Sequence, residues 1–110
     1  MVDAAVVELA DRIRALLGGA GEIEERAMFG SRAFLSDGHI LVGARKGGAL
    51  LVRVGAERAA MLLTERGVTR AVMGARTMSE NWLDVSPDAI ADDAALMHWI
   101  DVAREDAGAA

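Results

Sequence analysis

The dipeptide Asp37-Gly38 constrains the fold of this chain more than any other feature. It separates two apolar runs at residues 33–36 and 39–44, and both of its residues tolerate positive φ angles. A type I′ turn requires positive φ at its two central positions, so this spacing predicts a tight β-hairpin. The strands of the hairpin are predicted over residues 32–36 and 39–44.

Two further strands flank the predicted hairpin. One covers about residues 26–29 and reaches the hairpin through Gly30-Ser31, and the other covers about residues 49–54 after a turn at 45–48. Strands that follow one another through tight turns pair in antiparallel order. Residues 26–54 are therefore predicted to form an antiparallel meander.

Apolar residues with a period near 3.6, together with residues typical of helix ends, predict three helices. Gly18-Gly19 ends the first, Gly55 opens the second, and Ser86-Pro87 opens the third with serine at the N-cap. The helices are predicted over residues 2–17, 56–66 and 87–106, and two more strands over 69–73 and 81–85.

The order of these elements predicts an α+β fold with two layers, α-β(3-4)-α-β(2)-α, in which helices lie on one face of a mostly antiparallel sheet. A chain of 110 residues should form a single domain over residues 1–110, with its core within about residues 5–106. Alternation places Ile40, Val42, Ala44, Leu50, Val52 and Val54 toward the helices. The opposite face receives His39, Leu41, Arg45, Leu51 and Arg53, and we expect it to be partly exposed.

Composition argues against catalysis and metal binding. The chain has no cysteine and two histidines, His39 and His98, which we expect at the surface. No nucleophile–base motif is present, and Asp92-Asp93 point about 100° apart on a helix, so they read as a solvated acidic face. We therefore predict no enzyme activity, no catalytic residue, no metal and no cofactor. The acidic residues near the N-terminus and the absence of a long apolar run predict a cytoplasmic protein without a membrane span.

Charge is unevenly distributed along the chain. Residues 26–76 carry eight arginines and one lysine against three acidic residues, whereas residues 1–25 and 77–110 are acidic. Two interpretations stay open: acidic terminal helices pack beside a basic middle, or the middle forms an anion- or nucleic-acid-binding face. Nucleic-acid binding is the less favoured of the two, because the acidic ends repel phosphates and no predicted helix is basic.

The strings AMFGSRAFL at residues 27–35 and LLVRVG at 50–55, with the Asp37-Gly38 turn and a Met-x3-Trp spacing further on, resemble the N-terminal domain of the TfoX/Sxy family. The residues that carry the resemblance are Met28, Phe29, Gly30, Phe34, Asp37, Gly38, Gly55, Met78 and Trp82. The family pattern has glycine or proline where this chain has Ser31, Ala56, Thr77 and Asn81.

The resemblance implies a fold similar to secretion chaperones and a role in regulation. Founding members of the family regulate natural competence with a transcription activator and carry a second, C-terminal domain, so the resemblance predicts a stand-alone first domain here. The predicted function is a non-enzymatic regulatory domain that binds another protein or a second copy of itself. The alternative is an accessory protein that binds nucleic acid or anions, and an enzyme using arginine, acid and backbone groups is the weakest hypothesis.

The candidate contact surface combines the mixed sheet face with the basic middle segment. It comprises Arg26, Arg32, Leu41, Arg45, Lys46, Leu51, Arg53 and Arg76. The Met and aromatic residues near the sheet, Met28, Phe29, Phe34, Met78 and Trp82, are expected in the core, with a partner surface as the alternative.

Overall fold

A computed structural model describes residues 3–18, 23–28, 30–73 and 75–109. The helices are α1 (Ala4–Leu17), α2 (Ala56–Leu62) and α3 (Asp93–Ala109). The strands are β1 (Ile23–Met28), β2 (Ser31–Ser36), β3 (His39–Ala44), β4 (Leu50–Arg53), β5 (Val68–Arg70), β6 (Val72–Met73), β7 (Arg76–Thr77) and β8 (Trp82–Val85).

The main sheet has six strands in the order β1-β2-β3-β4-β8-β5, and each neighbouring pair is antiparallel. Strands β6 and β7 form a separate small hairpin. The predicted turn joins β2 to β3, with φ of 51° at Asp37 and 80° at Gly38, as a type I′ turn requires. The α+β class and the antiparallel meander are confirmed.

One apolar core lies between the sheet and all three helices. Fully buried side chains come from α1, α3 and four central strands: Val6, Ile13, Phe34, Val42, Leu50, Val52, Leu83, Val85, Leu96 and Ile100. Burying a side chain of this size stabilises a fold by about 1.5–3 kcal/mol relative to leaving it exposed. We call the side of the sheet turned to this core the helix face and the other side the outer face.

A β-bulge in β3 reverses the predicted faces of the three residues before Val42, which are His39, Ile40 and Leu41. The pairing runs from Phe34↔Val42 directly to Leu35↔Ile40, so Leu41 is the extra residue. An extra residue reverses the alternation on one side of the bulge. Leu41 was predicted on the outer face, and this was wrong, because it is 4% exposed and lies in the core. Ile40, predicted toward the helices, borders the outer face instead.

The start of α3 also differs from its prediction. Ser86 makes no capping hydrogen bond, and Pro87–Ile90 form a short 3-10 turn instead of the first turn of the helix. The helix begins at Asp93, because the Asp92 carboxylate accepts a hydrogen bond of 2.7 Å from the Ala95 N–H. Asp92 is therefore a helix cap and not simply part of a solvated face.

Other boundaries shift by a few residues. Strand β1 begins at Ile23 and not at residue 26, α2 ends at Leu62 and not at residue 66, and the strand predicted over 69–73 is divided at Ala71 into β5 and β6. Phe29 lies outside the described residues. Within the described chain, no helix combines the length and the apolar character needed to cross a membrane.

Candidate functional site

The outer face of the sheet carries a groove of ≈ 380 Å³, which we call the outer groove. Gly43 and Leu51 are paired across β3 and β4 and form part of its wall. A Cβ atom on Gly43 would lie 3.5 Å from the Leu51 Cβ, so glycine leaves more room above Leu51 than any other residue would. The other lining residues are Met28, Ser31, Arg32, Ala33, Ile40, Arg45, Lys46, Met78 and Trp82.

The segment between β5 and β8 brings Met78 and Trp82 to the outer groove. The Met78 N–H donates to the Ala71 carbonyl at 2.8 Å, and the Ala71 N–H donates to the Trp82 carbonyl at 3.0 Å. These bonds fold residues 71–82 back on themselves. On β8, Trp82 pairs with Arg53 of β4, whose guanidinium lies 5.9 Å from the centre of the indole ring. Such a distance allows a cation–π contact.

Arg45 and Asp84 form the best-shielded ion pair among the described residues. The Arg45 Nη1 donates to both carboxylate oxygens of Asp84 at 2.9 Å, and the two side chains are 18% and 23% exposed. The Arg45 Nη2 also donates to the Val72 carbonyl, so the same side chain ties the β6–β7 hairpin to the sheet. Asp84 neutralises Arg45, which therefore lines the groove without offering it a free positive charge.

Lys46 and Arg53 differ from Arg45 in this respect. Neither side chain takes part in the ion pairs found within the described ranges. Both are exposed, with Lys46 lining the groove and Arg53 stacked beside its Trp82 wall. The outer groove therefore combines apolar walls with two cations at its border.

The other predicted cations do not gather there. Arg26 pairs with Glu24 at 2.9 Å. Arg32 pairs with Glu25 at 3.1 Å on the helix face, although part of the residue also borders the groove. Arg76 lies exposed on β7. The predicted contact surface is thus divided: Arg45, Lys46 and Leu51 meet at the outer groove, Arg53 lies beside it, and Leu41 is in the core.

The residues that carry the family resemblance lie in turns, in the core or around the outer groove. Gly30 and Gly38 adopt positive φ of 79° and 80°, which suits glycine, and Phe34 is buried in the core at 1% exposure. Met28, Met78 and Trp82 were expected in the core, but they line the outer groove instead. Sequence reasoning missed Ile40 as a groove residue and Asp84 as the partner of Arg45, since only the bulge and the β4–β8 pairing reveal them.

A second cavity, of ≈ 490 Å³, lies where the start of α2 meets the end of α3. The Asp106 carboxylate accepts from the Gly55 N–H at 2.7 Å and from Arg58 Nη1 at 2.7 Å. The hydrogen bond that Arg58 donates to Asp106 raises the pKa of Arg58; burial opposes this shift and the bond to Glu105 adds to it. These charged groups satisfy one another, so the cavity marks a connection between two helices.

The described residues offer little reactive chemistry. No group of three or more His, Asp or Glu side chains among them is placed to hold a metal ion. His39 lies exposed on β3, and His98 lies exposed on α3 with its ring 5.5 Å from the ring of Trp99. The outer groove offers a ligand apolar contact and positive charge.

The model of the TfoX N-terminal domain family matches residues 15–107 of the chain. The same chain matches no curated protein and no solved structure.

Proposed function

Because the chain belongs to the TfoX N-terminal domain family, we propose that it is a non-enzymatic regulatory domain that binds another protein through the outer groove. The observation that carries this proposal is the placement of Met28, Ile40, Met78 and Trp82 around an open groove and not in the core. Methionine, tryptophan and arginine are enriched at protein interfaces. The proposal includes a cytoplasmic location and a role in competence or transcription, as the family resemblance implies.

The groove favours a partner segment that carries a large apolar side chain next to carboxylates. The apolar walls would receive the side chain, and Lys46 and Arg53 would contact the carboxylates. Arg45 would take no part, because Asp84 already neutralises it. The net charge of −5 repels an acidic partner only weakly, because physiological salt screens exposed charges that lie more than about 8 Å from the binding site.

The ion pairs favour a protein partner over nucleic acid. Arg26, Arg32, Arg45 and Arg58 each pair with a carboxylate of this chain, and for Arg58 these carboxylates belong to the acidic end of α3. A basic surface that binds phosphates needs several free cations along one stripe. This supports the interpretation in which acidic segments pack beside the basic middle.

The experiment selects ligands from a random-peptide library displayed on phage, with the immobilised chain as target. We expect enriched peptides to contain Trp, Phe or Leu flanked by Asp or Glu. A selected peptide is then titrated against the Trp99→Phe variant, in which Trp82 is the only tryptophan. Its fluorescence should change on binding, because Trp82 lines the groove.

Two pairs of variants distinguish specific from non-specific binding of the peptide. Met78→Ser and Lys46→Glu should each raise the Kd of the selected peptide by about tenfold, the equivalent of about 1.4 kcal/mol. The matched controls are Met61→Ser and Arg104→Glu, which alter exposed residues outside the groove and should leave the Kd unchanged. Failure to select any peptide, or equal binding by all four variants, would contradict the proposal. A labelled DNA duplex that binds at low salt would favour the nucleic-acid alternative.

A further inference from the structure

We propose that two copies of the chain associate through the exposed edge of β1, which pairs antiparallel with β1 of the second copy and joins the two sheets into one. This inference does not rest on the peptide-binding function of the outer groove. It follows from the position of β1 in the sheet, from the direction of its backbone groups and from the order of its charges.

Strand β1 is a long and regular edge of the main sheet. Within the described chain it pairs only with β2, over six residue pairs without a bulge. Its sequence, IEERAM, contains no proline, and its three charged residues are of both signs, so they discourage pairing with some strands but can match a strand of complementary charge order. The other edge strand, β5, has three residues and offers a much shorter template.

The hairpin between β1 and β2 determines which backbone groups are free. Two residues separate Met28 from Ser31, and the residues that flank a two-residue hairpin loop form a hydrogen-bonded pair. Hydrogen-bonded and non-bonded pairs then alternate along the strands. The N–H and C=O groups of Ile23, Glu25 and Ala27 therefore point away from β2, toward the open edge.

Charge selects one register for the pairing of two β1 strands. Opposed residues of neighbouring strands lie on the same face of a sheet, so two equivalent strands can pair about Glu25 or about Arg26. Centring on Arg26 would oppose the two arginines, which is unfavourable. Centring on Glu25 opposes Glu24 of each copy to Arg26 of the other, and Ile23 to Ala27. The free backbone groups then face each other directly.

The side chains of β1 fit this register. Glu24 and Arg26 are exposed on the outer face, where they pair with each other at 2.9 Å in one chain. In the dimer, Glu24 of each copy would lie opposite Arg26 of the other copy, so each of these two cross-strand pairs joins opposite charges. The two Glu25 residues would meet on the helix face, but Arg14 and Arg32 of its own chain hold each carboxylate, at 2.8 Å and 3.1 Å. The central pair therefore adds little repulsion.

The test exchanges charges on β1 and measures mass by sedimentation velocity. Wild type should sediment as a dimer at high micromolar concentration. Glu24→Arg and Arg26→Glu each place like charges opposite one another, and each should weaken self-association by about tenfold or more. An equimolar mixture of these two variants should recover dimers, because both pairs formed by residues 24 and 26 are again of opposite sign. Recovery would not occur if the substitutions had simply damaged the fold.

Controls locate the interface on β1. Ala27→Pro removes one of the outward-pointing N–H groups and should weaken the dimer, with circular dichroism used to check that the sheet is intact. Arg104→Glu makes the same charge change on α3, and Met78→Ser alters the outer groove; both should leave the dimer unchanged. A wild-type monomer at millimolar concentration would overturn the proposal. So would a dimer that resists Glu24→Arg and Ala27→Pro, or singly substituted chains that fail to recover dimers on mixing.

Discussion

The two faces of the sheet both carry apolar side chains but differ in what covers them. Three helices cover the helix face, where Leu50, Val52 and Leu83 are completely buried. The outer face is covered in part by Val72, which bonds to Arg45, and by Met78, yet it retains a groove of ≈ 380 Å³ above Leu51. Apolar residues in a strand therefore do not by themselves identify a core. The side that the helices leave open determines where a partner can bind.

The difference is also one of energy. On the helix face, apolar burial stabilises the fold whether or not a partner is present. On the outer face, the exposed parts of Met78 and Trp82 still contact solvent, and their burial would stabilise a complex instead. Substitutions on the helix face should therefore lower the free energy of unfolding, and substitutions around the groove should mainly affect binding.

The largest expected effect tests the boundary between the faces at the bulge. Leu41→Asp places an unpaired carboxylate in the core, which costs several kcal/mol and approaches the whole stability of a domain of this size. We expect a protein without a cooperative thermal transition. Ile40→Asp changes the neighbouring, half-buried residue beside the groove and should cost about 1 kcal/mol while leaving the fold intact.

Circular dichroism melts and two-dimensional NMR spectra of the two variants provide the measurement. Equal losses would show that the bulge does not turn Leu41 toward the helices. The reverse order, with Ile40→Asp the more damaging, would restore the simple alternation predicted from the sequence.

Alternation explains how far the sequence could predict this structure. It correctly assigned Val42, Leu50, Val52 and Val54 to the core, because regular strands have a period of two. The Asp37-Gly38 turn was equally readable, because positive φ at two positions restricts residue choice. These signals are local, so the meander of the first four strands and the fold class followed from them, whereas the position of β8 between β4 and β5 did not.

The remaining features depend on how strands pair, which the pattern of a single strand does not show. The bulge at Leu41 comes from the register of β2 with β3, and no residue in HILVGA marks it. The outer groove requires residues 71–82 to fold back on the sheet, which the Arg45–Asp84 pair helps to hold. Arg45 and Asp84 are 39 residues apart in the sequence, so no local pattern predicts their pairing. The predictions for Leu41 and Ile40 failed for a different reason, because the bulge shifts the register within a single hairpin.

The second prediction compares two adjacent leucines on opposite faces of β4. The two side chains have the same volume, but Leu50 is 0% exposed and Leu51 is 8% exposed, so their surroundings differ. Leu→Ala in a well-packed core costs about 2–5 kcal/mol, depending on how far the site can relax. We expect Leu50→Ala to lose about 4 kcal/mol and Leu51→Ala about 2 kcal/mol, because the groove already leaves Leu51 without packing on one side.

Urea denaturation measures both losses, with equal m-values confirming that the unfolded states are comparable. Leu51→Ala should also raise the Kd of a groove-binding peptide, whereas Leu50→Ala should leave it unchanged in the folded fraction. Equal stability losses would mean that the outer face is packed as tightly as the helix face. The comparison between the faces would then fail.

The smallest expected effect concerns charge on the helix face at the β1 edge. Hydrogen bonds from Arg14 to Glu25 hold the pKa of that carboxyl below its ordinary value, with burial opposing them and Arg32 adding a smaller attraction. A carboxyl whose pKa is lower in the folded state contributes stability above its unfolded pKa of about 4.5 and loses it as pH falls further. Arg14 is 52% exposed, so solvent screening limits this contribution to about 0.5–1 kcal/mol.

Wild type should therefore exceed Glu25→Gln in unfolding free energy at pH 7, and the difference should shrink between about pH 5 and pH 3. Urea melts at each pH provide the measurement. Glu80→Gln removes an exposed carboxylate from the turn before β8 that takes part in no ion pair among the described residues, so its unfolding free energy at pH 7 should be close to that of wild type. If the difference in unfolding free energy between wild type and Glu25→Gln grew as pH fell, the lowered pKa of Glu25 would be contradicted. The Arg14–Glu25 contact would then not stabilise the helix face at its edge, and β1 would depend on β2 alone.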